Sequence, residues 1–214
     1  MIDAKISALR QDYKHAFLLE KDANKNPIAQ FKFWFNEVIE AEISEPNAMT
    51  FSSIGANNTV HSRIVLMKSF DENGFVFFTN YQSHKAMEIK NCNNVSLLFF
   101  WKEVEKQVRI EGTIEKISEE DSKEYFDSRP YNSKIGAWAS NQSKVVKNRD
   151  EIDNSFETYK LQFENKEIPK PEHWGGYLIK PKTIEFWQGR SSRLHDRLLY
   201  TLENSHWKIE RLMP

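Results

Sequence analysis

The 214-residue chain carries 30 basic and 31 acidic side chains, a net charge of −1, with 39% hydrophobic residues and a single cysteine. Near-neutrality argues against a general nucleic-acid binder, and no apolar run approaches the ~20 residues of a membrane span. Lone Cys92 excludes an internal disulfide framework and a Cys-rich zinc site.

Fifteen Phe, 7 Tyr and 6 Trp supply the apolar area for a core, at roughly 25 cal/mol per Å² buried. Residues 1–214 read as one domain. The start, Met1-Ile2-Asp3-Ala4-Lys5, has no apolar signal core, and a cytoplasmic location is the expectation. The first forty residues read as helical, a segment of about 1–43. Ile6, Leu9, Arg10 and Tyr13 could share a face of a short early helix. Phe31, Trp34, Phe35, Val38 and Ile39 fall at helical spacing behind Pro27 and predict a core-facing stripe.

From Ala48 the pattern changes to strands, at residues 48–53, 60–68, 75–79, 95–101 and 107–117. Asp71-Glu72-Asn73-Gly74 is a hairpin signal, with Asn-Gly supplying positive φ. A short helix interrupts at residues 83–91. Ser118 begins a capping pattern for a helix that Arg129-Pro130 ends. Helices at about 133–139 and 150–163 follow, and strands return at 176–179, 183–187, 193–202 and 206–212. Hairpin-like neighbours without strand–helix alternation predict a mainly β antiparallel barrel with peripheral helices.

No dinucleotide fingerprint, phosphate loop, zinc-protease motif or nucleophile elbow is present. No pair among the six histidines has metal-ligand spacing, so no metal is expected. Three segments carry candidate chemistry. In Arg63-Ile64-Val65-Leu66-Met67-Lys68, alternation puts Arg63 and Lys68 on opposite faces, where they could serve two anions; a core strand with solvated ends is the alternative. Tyr125, Arg129 and Ser133 are phosphate-binding types at a helix junction, although ordinary helix punctuation explains them equally well. If residues 193–197 are extended, Arg193, His195 and Arg197 share a face. Such cations repel unless an anion lies among them, and a structural role would need acidic partners on a neighbouring strand.

These segments together resemble the pyridoxamine (pyridoxine) 5′-phosphate oxidase family. So do Phe77-Phe78-Thr79-Asn80, Ser83-His84-Lys85-Ala86, Gln107-Val108, Ile135-Gly136-Ala137-Trp138, Asn141-Gln142-Ser143, Trp174-Gly175-Gly176, Ile184 to Gly189 and the ending Trp207 to Pro214, all in family order. The resemblance implies an FMN-binding split β-barrel that works as a homodimer, with FMN between subunits. It implies oxidation of pyridoxamine or pyridoxine 5′-phosphate to pyridoxal 5′-phosphate, with O2 as acceptor and H2O2 as product. By position, Arg63, Ile64, Val65, Leu66, Met67, Lys68, Phe78, Thr79, His84, Lys85, Gln107, Gln142, Ser143, Trp187 and Arg197 would contact FMN. Lys68, Tyr125, Arg129 and Ser133 would hold the substrate phosphate. Arg193 and His195 would be the catalytic pair against the substrate ring, with Arg10 and Tyr13 in a segment closing over it. His84 stands where the family often has Arg, and Phe78 where it often has Tyr. Competing readings are a split-barrel flavin reductase with another substrate, a non-catalytic flavin or pyridoxal phosphate carrier, and a barrel without cofactor.

Overall fold

The computed structural model describes Tyr13 and residues 16–214. Arg10 and the proposed early helix fall outside these residues, except for Tyr13, which is in no regular element. Residues 16–26 are not helical, so helix does not fill the first forty positions. The reason is local. Helix α1 (Pro27–Glu40) starts only where Asn26 Oδ1 accepts from the Ile28 and Ala29 N–H groups at 2.7 and 3.2 Å. Such a cap is worth about 1 kcal/mol, and Pro27 fits the first turn, where an N–H would be unsatisfied.

Nine strands and five helices follow among the described residues. They are α1, β1 (Ala48–Ile54), β2 (Val60–Leu66), β3 (Ser69–Asp71), β4 (Gly74–Asn80), α2 (His84–Asn91), β5 (Asn94–Trp101), β6 (Lys106–Lys116), α3 (Glu119–Ser128), α4 (Tyr131–Ala139), α5 (Arg149–Gln162), β7 (Trp174–Gln188), β8 (Asp196–Glu203) and β9 (His206–Arg211). The strand order is β2-β1-β5-β6-β7-β4-β3, with β8 paired to β7 and β9 to β8. No helix among the described residues is long and apolar enough to cross a membrane.

Two details depart from expectation. The Asp71↔Gly74 pair closes the β3–β4 hairpin as predicted, but only Gly74 takes positive φ, at 139°. A Cβ there would stand 1.9 Å from the Ile179 carbonyl oxygen, so the close backbone approach requires glycine. The two strands expected at 176–179 and 183–187 are one strand, β7, running through Pro181. Its first half pairs with β4 up to Phe75↔Ile179, and its second with β8 from Thr183↔Thr201. Pro181 falls between the two registers, where neither β4 nor β8 is paired with it.

The residues form two compact units, each assembled from separate stretches of chain. The first takes the chain up to Thr50, Ser96–Glu111 and Pro181–Pro214. In its core Phe31, Trp34 and Val38 of α1 are buried, whereas Ile39 at the margin of the same stripe is exposed. Trp34 meets Phe186 edge-on at 5.2 Å, and Phe186 meets Tyr200 at 5.4 Å. The second unit takes Phe51–Val95 and Gly112–Lys180. Phe51, Phe77 and Tyr177 pack through it at 5.0 and 5.9 Å. A second cluster there gathers Phe126, Ile135, Phe163, Ile168 and Trp174 around the α3–α4 junction. Ser118 Oγ accepts from the Asp121 N–H at 2.9 Å and caps α3 as its sequence predicts.

Candidate active site

In the second unit, α2 delivers Lys85 into a buried position. Its ammonium donates to Gln142 Oε1 at 2.7 Å, Thr79 Oγ1 at 3.1 Å and Ser83 Oγ at 3.4 Å. Thr79 in turn donates to Gln142 Oε1 at 3.0 Å. All three acceptors are neutral. Burial, aided by the charge of Arg63 and opposed by Glu88, lowers the Lys85 pKa to about 8. This is a desolvated cation with no carboxylate in contact among the described residues, an arrangement that favours a bound anion. Ser143 lies in the same loop as Gln142, with φ at 71°.

The expected phosphate clamp is divided. Phe78, Tyr125 and Trp174 form a stack, with Phe78 4.0 Å from Tyr125 and 5.3 Å from Trp174. The Arg129 guanidinium lies over Trp174 at 4.5 Å. Its Nη1 is buried and has no hydrogen-bond partner among the described residues, and burial lowers its pKa. Arg129 and Ser133 line a pocket of about 300 Å³ that also holds Asn80 and Gln142. Lys68 and Tyr125 line a different pocket, of about 710 Å³, beside Ser128. Thus the structure joins Arg129 and Ser133 to Gln142, assigned by resemblance to FMN, while Lys68 and Tyr125 line the other pocket.

Along β2 the alternation holds in part. Arg63 and Val65 are half-buried and Met67 is buried, while Ile64 and Lys68 are exposed and Leu66 is intermediate. Arg63 does not point to open space. It donates to Ser53 Oγ at 2.6 Å, the His61 carbonyl at 3.0 Å and Glu88 Oε2 at 3.0 Å. His84 directs Nδ1 towards Glu88 Oε1 at 3.4 Å. Burial pushes the Glu88 carboxyl up, but hydrogen bonds from Ser53, Arg63 and His61 hold it below its ordinary value. Sequence reading missed Glu88; its legible signal was the spacing of four from His84 on one helix.

The first unit holds the remaining candidates. Trp187 lies at 4.6 Å from the His195 ring, and Tyr13 meets both edge-on at 5.7 Å. The Arg190 N–H donates to His195 Nδ1 at 3.1 Å, so the neutral ring carries its proton on Nε2. Burial first, and the charge of Arg193 second, lower the His195 pKa. Gln107 is half-buried on β6.

The expectation that residues 193–197 form one extended face is wrong. Ser191–Arg193 is a 3-10 turn with Ser192 and Arg193 at φ 56° and 61°, and β8 begins at Asp196. Arg193 is exposed on this turn. The acidic partner that a structural role demands is present for Arg197. Arg197 Nε donates to Glu185 Oε1 at 2.7 Å on adjacent β7, and Arg109 Nη1 reaches Glu185 Oε2 at 3.2 Å. Asp196 accepts from Arg190 and Arg211 at 2.9 and 2.8 Å and from the Leu18 N–H at 3.2 Å. The pairing of Glu185 escaped the sequence reading, while Asp196, which alternation turns away from Arg197, pairs instead with Arg190 and Arg211.

A family model described as pyridoxamine 5′-phosphate oxidase matches residues 35–163, and one described as the pyridoxine 5′-phosphate oxidase C-terminal dimerisation region matches residues 174–214. A protein of a Nostoc species named pyridoxine/pyridoxamine 5′-phosphate oxidase is 50% identical over 214 residues, covering 100% of both chains. One of that name from Burkholderia mallei is 50% identical over 212 residues, covering 98% of this chain and 99% of its own. Among solved structures, PhzG from Burkholderia lata, in complex with tetrahydrophenazine-1-carboxylic acid, superposes with a TM-score of 0.89 at 26% identity, covering 95% of this chain and 100% of its own. An oxidase-related, FMN-binding protein from Nostoc punctiforme gives 0.70 at 14% identity, covering 86% and 97%. The expected split β-barrel is therefore the fold.

Proposed function

We propose that this chain, which belongs to the pyridoxamine 5′-phosphate oxidase family, oxidises pyridoxamine or pyridoxine 5′-phosphate to pyridoxal 5′-phosphate with FMN as cofactor. Oxygen is the electron acceptor and H2O2 a product; with the amine, water is consumed and ammonia released. The observation that carries the reading is a pair of desolvated cations, Lys85 and Arg129, neither with a carboxylate in contact among the described residues. A flavin phosphate and a substrate phosphate would answer that pair.

The donors present fit the cofactor phosphate. Lys85, Thr79, Gln142 and Ser143 would hold it, with hydroxyl and amide groups that can turn towards an anion. Arg63 would have to leave Glu88 to join them, and His84, whose Nδ1 faces Glu88, is left out of the set. Bound FMN supplies the two-electron acceptor chemistry; the protein positions it. Arg129 Nη1 and Ser133 would take the substrate phosphate, with Lys68 and Tyr125 converging on it from the larger pocket. A charge-assisted hydrogen bond of this type contributes about 1.5–3 kcal/mol. His195 would offer Nε2–H as a donor to a ring substituent of the substrate. Arg193 would lie beside it and keep the imidazole neutral, while Trp187 and Tyr13 exclude water from the ring face. Arg197, held by Glu185, would meet FMN only with its remaining donors. The working unit in this reading is a homodimer with FMN between subunits, supported by the match to the dimerisation region.

The likeness to PhzG supports a second reading, a split-barrel flavoenzyme acting on a substrate without phosphate. Peroxide and pyridoxal 5′-phosphate release from FMN-loaded protein separates the two. Both should rise together with pyridoxamine 5′-phosphate and not with unphosphorylated pyridoxamine. A yellow protein that releases neither refutes the oxidase reading.

A further inference from the structure

One cluster of side chains stays outside the donor sets proposed above for the two phosphates. His61 on β2, His84 in the first turn of α2 and Glu88 one turn later bring one ring nitrogen from each imidazole and one carboxylate oxygen within 4.8 Å of one another. We propose that these three residues bind a divalent transition-metal ion of zinc-like preference, leaving a fourth position open to water or an anion. This proposal does not depend on the oxidase reading.

Three features support it. Two imidazoles and a carboxylate are the donor set that suits zinc, nickel, cobalt or copper and not magnesium or calcium. Glu88 Oε1 faces both histidines, while its Oε2 is held by Ser53 at 2.5 Å and Arg63 at 3.0 Å. A hydrogen bond such as that from Ser53, which does not require Arg63 to stay, orients a metal-binding carboxylate from behind. Finally, the spacing is near what an ion needs. Bonds of 2.0–2.2 Å in a tetrahedron put ligand atoms about 3.3–3.5 Å apart.

His84 Nδ1 and Glu88 Oε1 already stand at 3.4 Å. His61 Nδ1, at 2.5 Å from the same oxygen, must retreat by about 0.9 Å to reach that spacing. The two imidazole side chains are 41% and 61% exposed, so both can turn and an ion can enter from solvent. Arg63 adds positive charge on the far oxygen, which makes the site weaker than a closed structural zinc site. The chain spacing hides the cluster, because His61 and His84 come from separate elements.

The test is a titration of the protein as purified with cobalt chloride, followed by zinc chloride, in a buffer that does not bind metals. One equivalent of cobalt should bind with visible ligand-field absorption, and zinc should displace it. His84→Arg should abolish that absorption, and His61→Gln should weaken binding by at least about tenfold. A thermal melt of each variant matching the parent shows that the fold is intact. Zinc should also shift the imidazole 15N resonances of His61 and His84 in the unmodified protein, a readout that needs no variant. Absence of saturable binding, unchanged binding in His84→Arg, or unmoved imidazole resonances would each overturn the proposal. So would loss of binding in Cys92→Ser with sulfur-to-cobalt absorption in the parent.

Discussion

Replacing Arg129 by Met should separate stability from binding with opposite signs. In the free protein Nη1 is buried without a partner, and an unsatisfied buried donor costs about 1–3 kcal/mol. Removing it recovers that cost but loses the contact with Trp174, 4.5 Å away, worth about 0.5–2 kcal/mol. Met keeps much of the apolar stem. The net change without ligand therefore lies between a loss of about 1 and a gain of about 2.5 kcal/mol. With a phosphorylated ligand the balance reverses. Two charge-assisted hydrogen bonds contribute about 3–6 kcal/mol, a factor of roughly 10² to 10⁴ in affinity. Urea denaturation without ligand gives the first quantity. Quenching of tryptophan fluorescence by pyridoxal 5′-phosphate gives the second. A variant destabilised by more than about 3 kcal/mol that binds the ligand as tightly as the parent would show that Arg129 is a packing residue and refute the reasoning.

Lys85→Met should weaken FMN binding at least about tenfold while leaving the free protein as stable or more so, since Met keeps the stem and removes a desolvated charge; unchanged flavin affinity by fluorescence titration would count against it. Arg193→Gln should raise the His195 pKa, because one cause of its lowering is removed, and an unmoved midpoint in an NMR titration contradicts the assignment. The sign for stability follows. The folded protein binds this proton less readily than the unfolded chain, so the contribution is full above the ordinary 6.5 and is lost as pH falls below it towards the lowered folded value. Arg193→Ala should lower turnover far more than flavin content, and parallel losses of both would reject its role at the substrate. Gly74→Ala should destabilise by at least about 1–3 kcal/mol through its positive φ alone, before the clash with the Ile179 carbonyl; a denaturation midpoint matching the parent would refute that.

Local chemistry was legible in the sequence, and pairing between distant residues was not. The Phe31, Trp34 and Val38 stripe, the Ser118 cap and the turn before Gly74 each rest on a few adjacent positions, and each is present. The break expected between residues 179 and 183 is absent, because the change of partner along β7 leaves room for Pro181 within one strand. Ser191-Ser192-Arg193 contains no glycine to announce two left-handed residues. Arg197 looked like a cation awaiting an anion because Glu185 lies 12 positions away and meets it only through the β7–β8 register. The motif order identified the family. It did not show that Arg129 and Ser133 line one pocket and Lys68 and Tyr125 another, since that depends on how the Phe78, Tyr125 and Trp174 rings stack.

That stack stands on bare backbone. Gly176 is paired with Phe78 across β4 and β7, and a Cβ at Gly176 would come within 2.9 Å of the Phe78 ring and 2.4 Å of Ile117. A methyl group there would tilt Phe78, with it Tyr125 and Trp174, and so the surface on which Arg129 rests. If Arg129 holds a phosphate as proposed, a substitution at this residue with no side chain would loosen that hold without ever meeting the ligand.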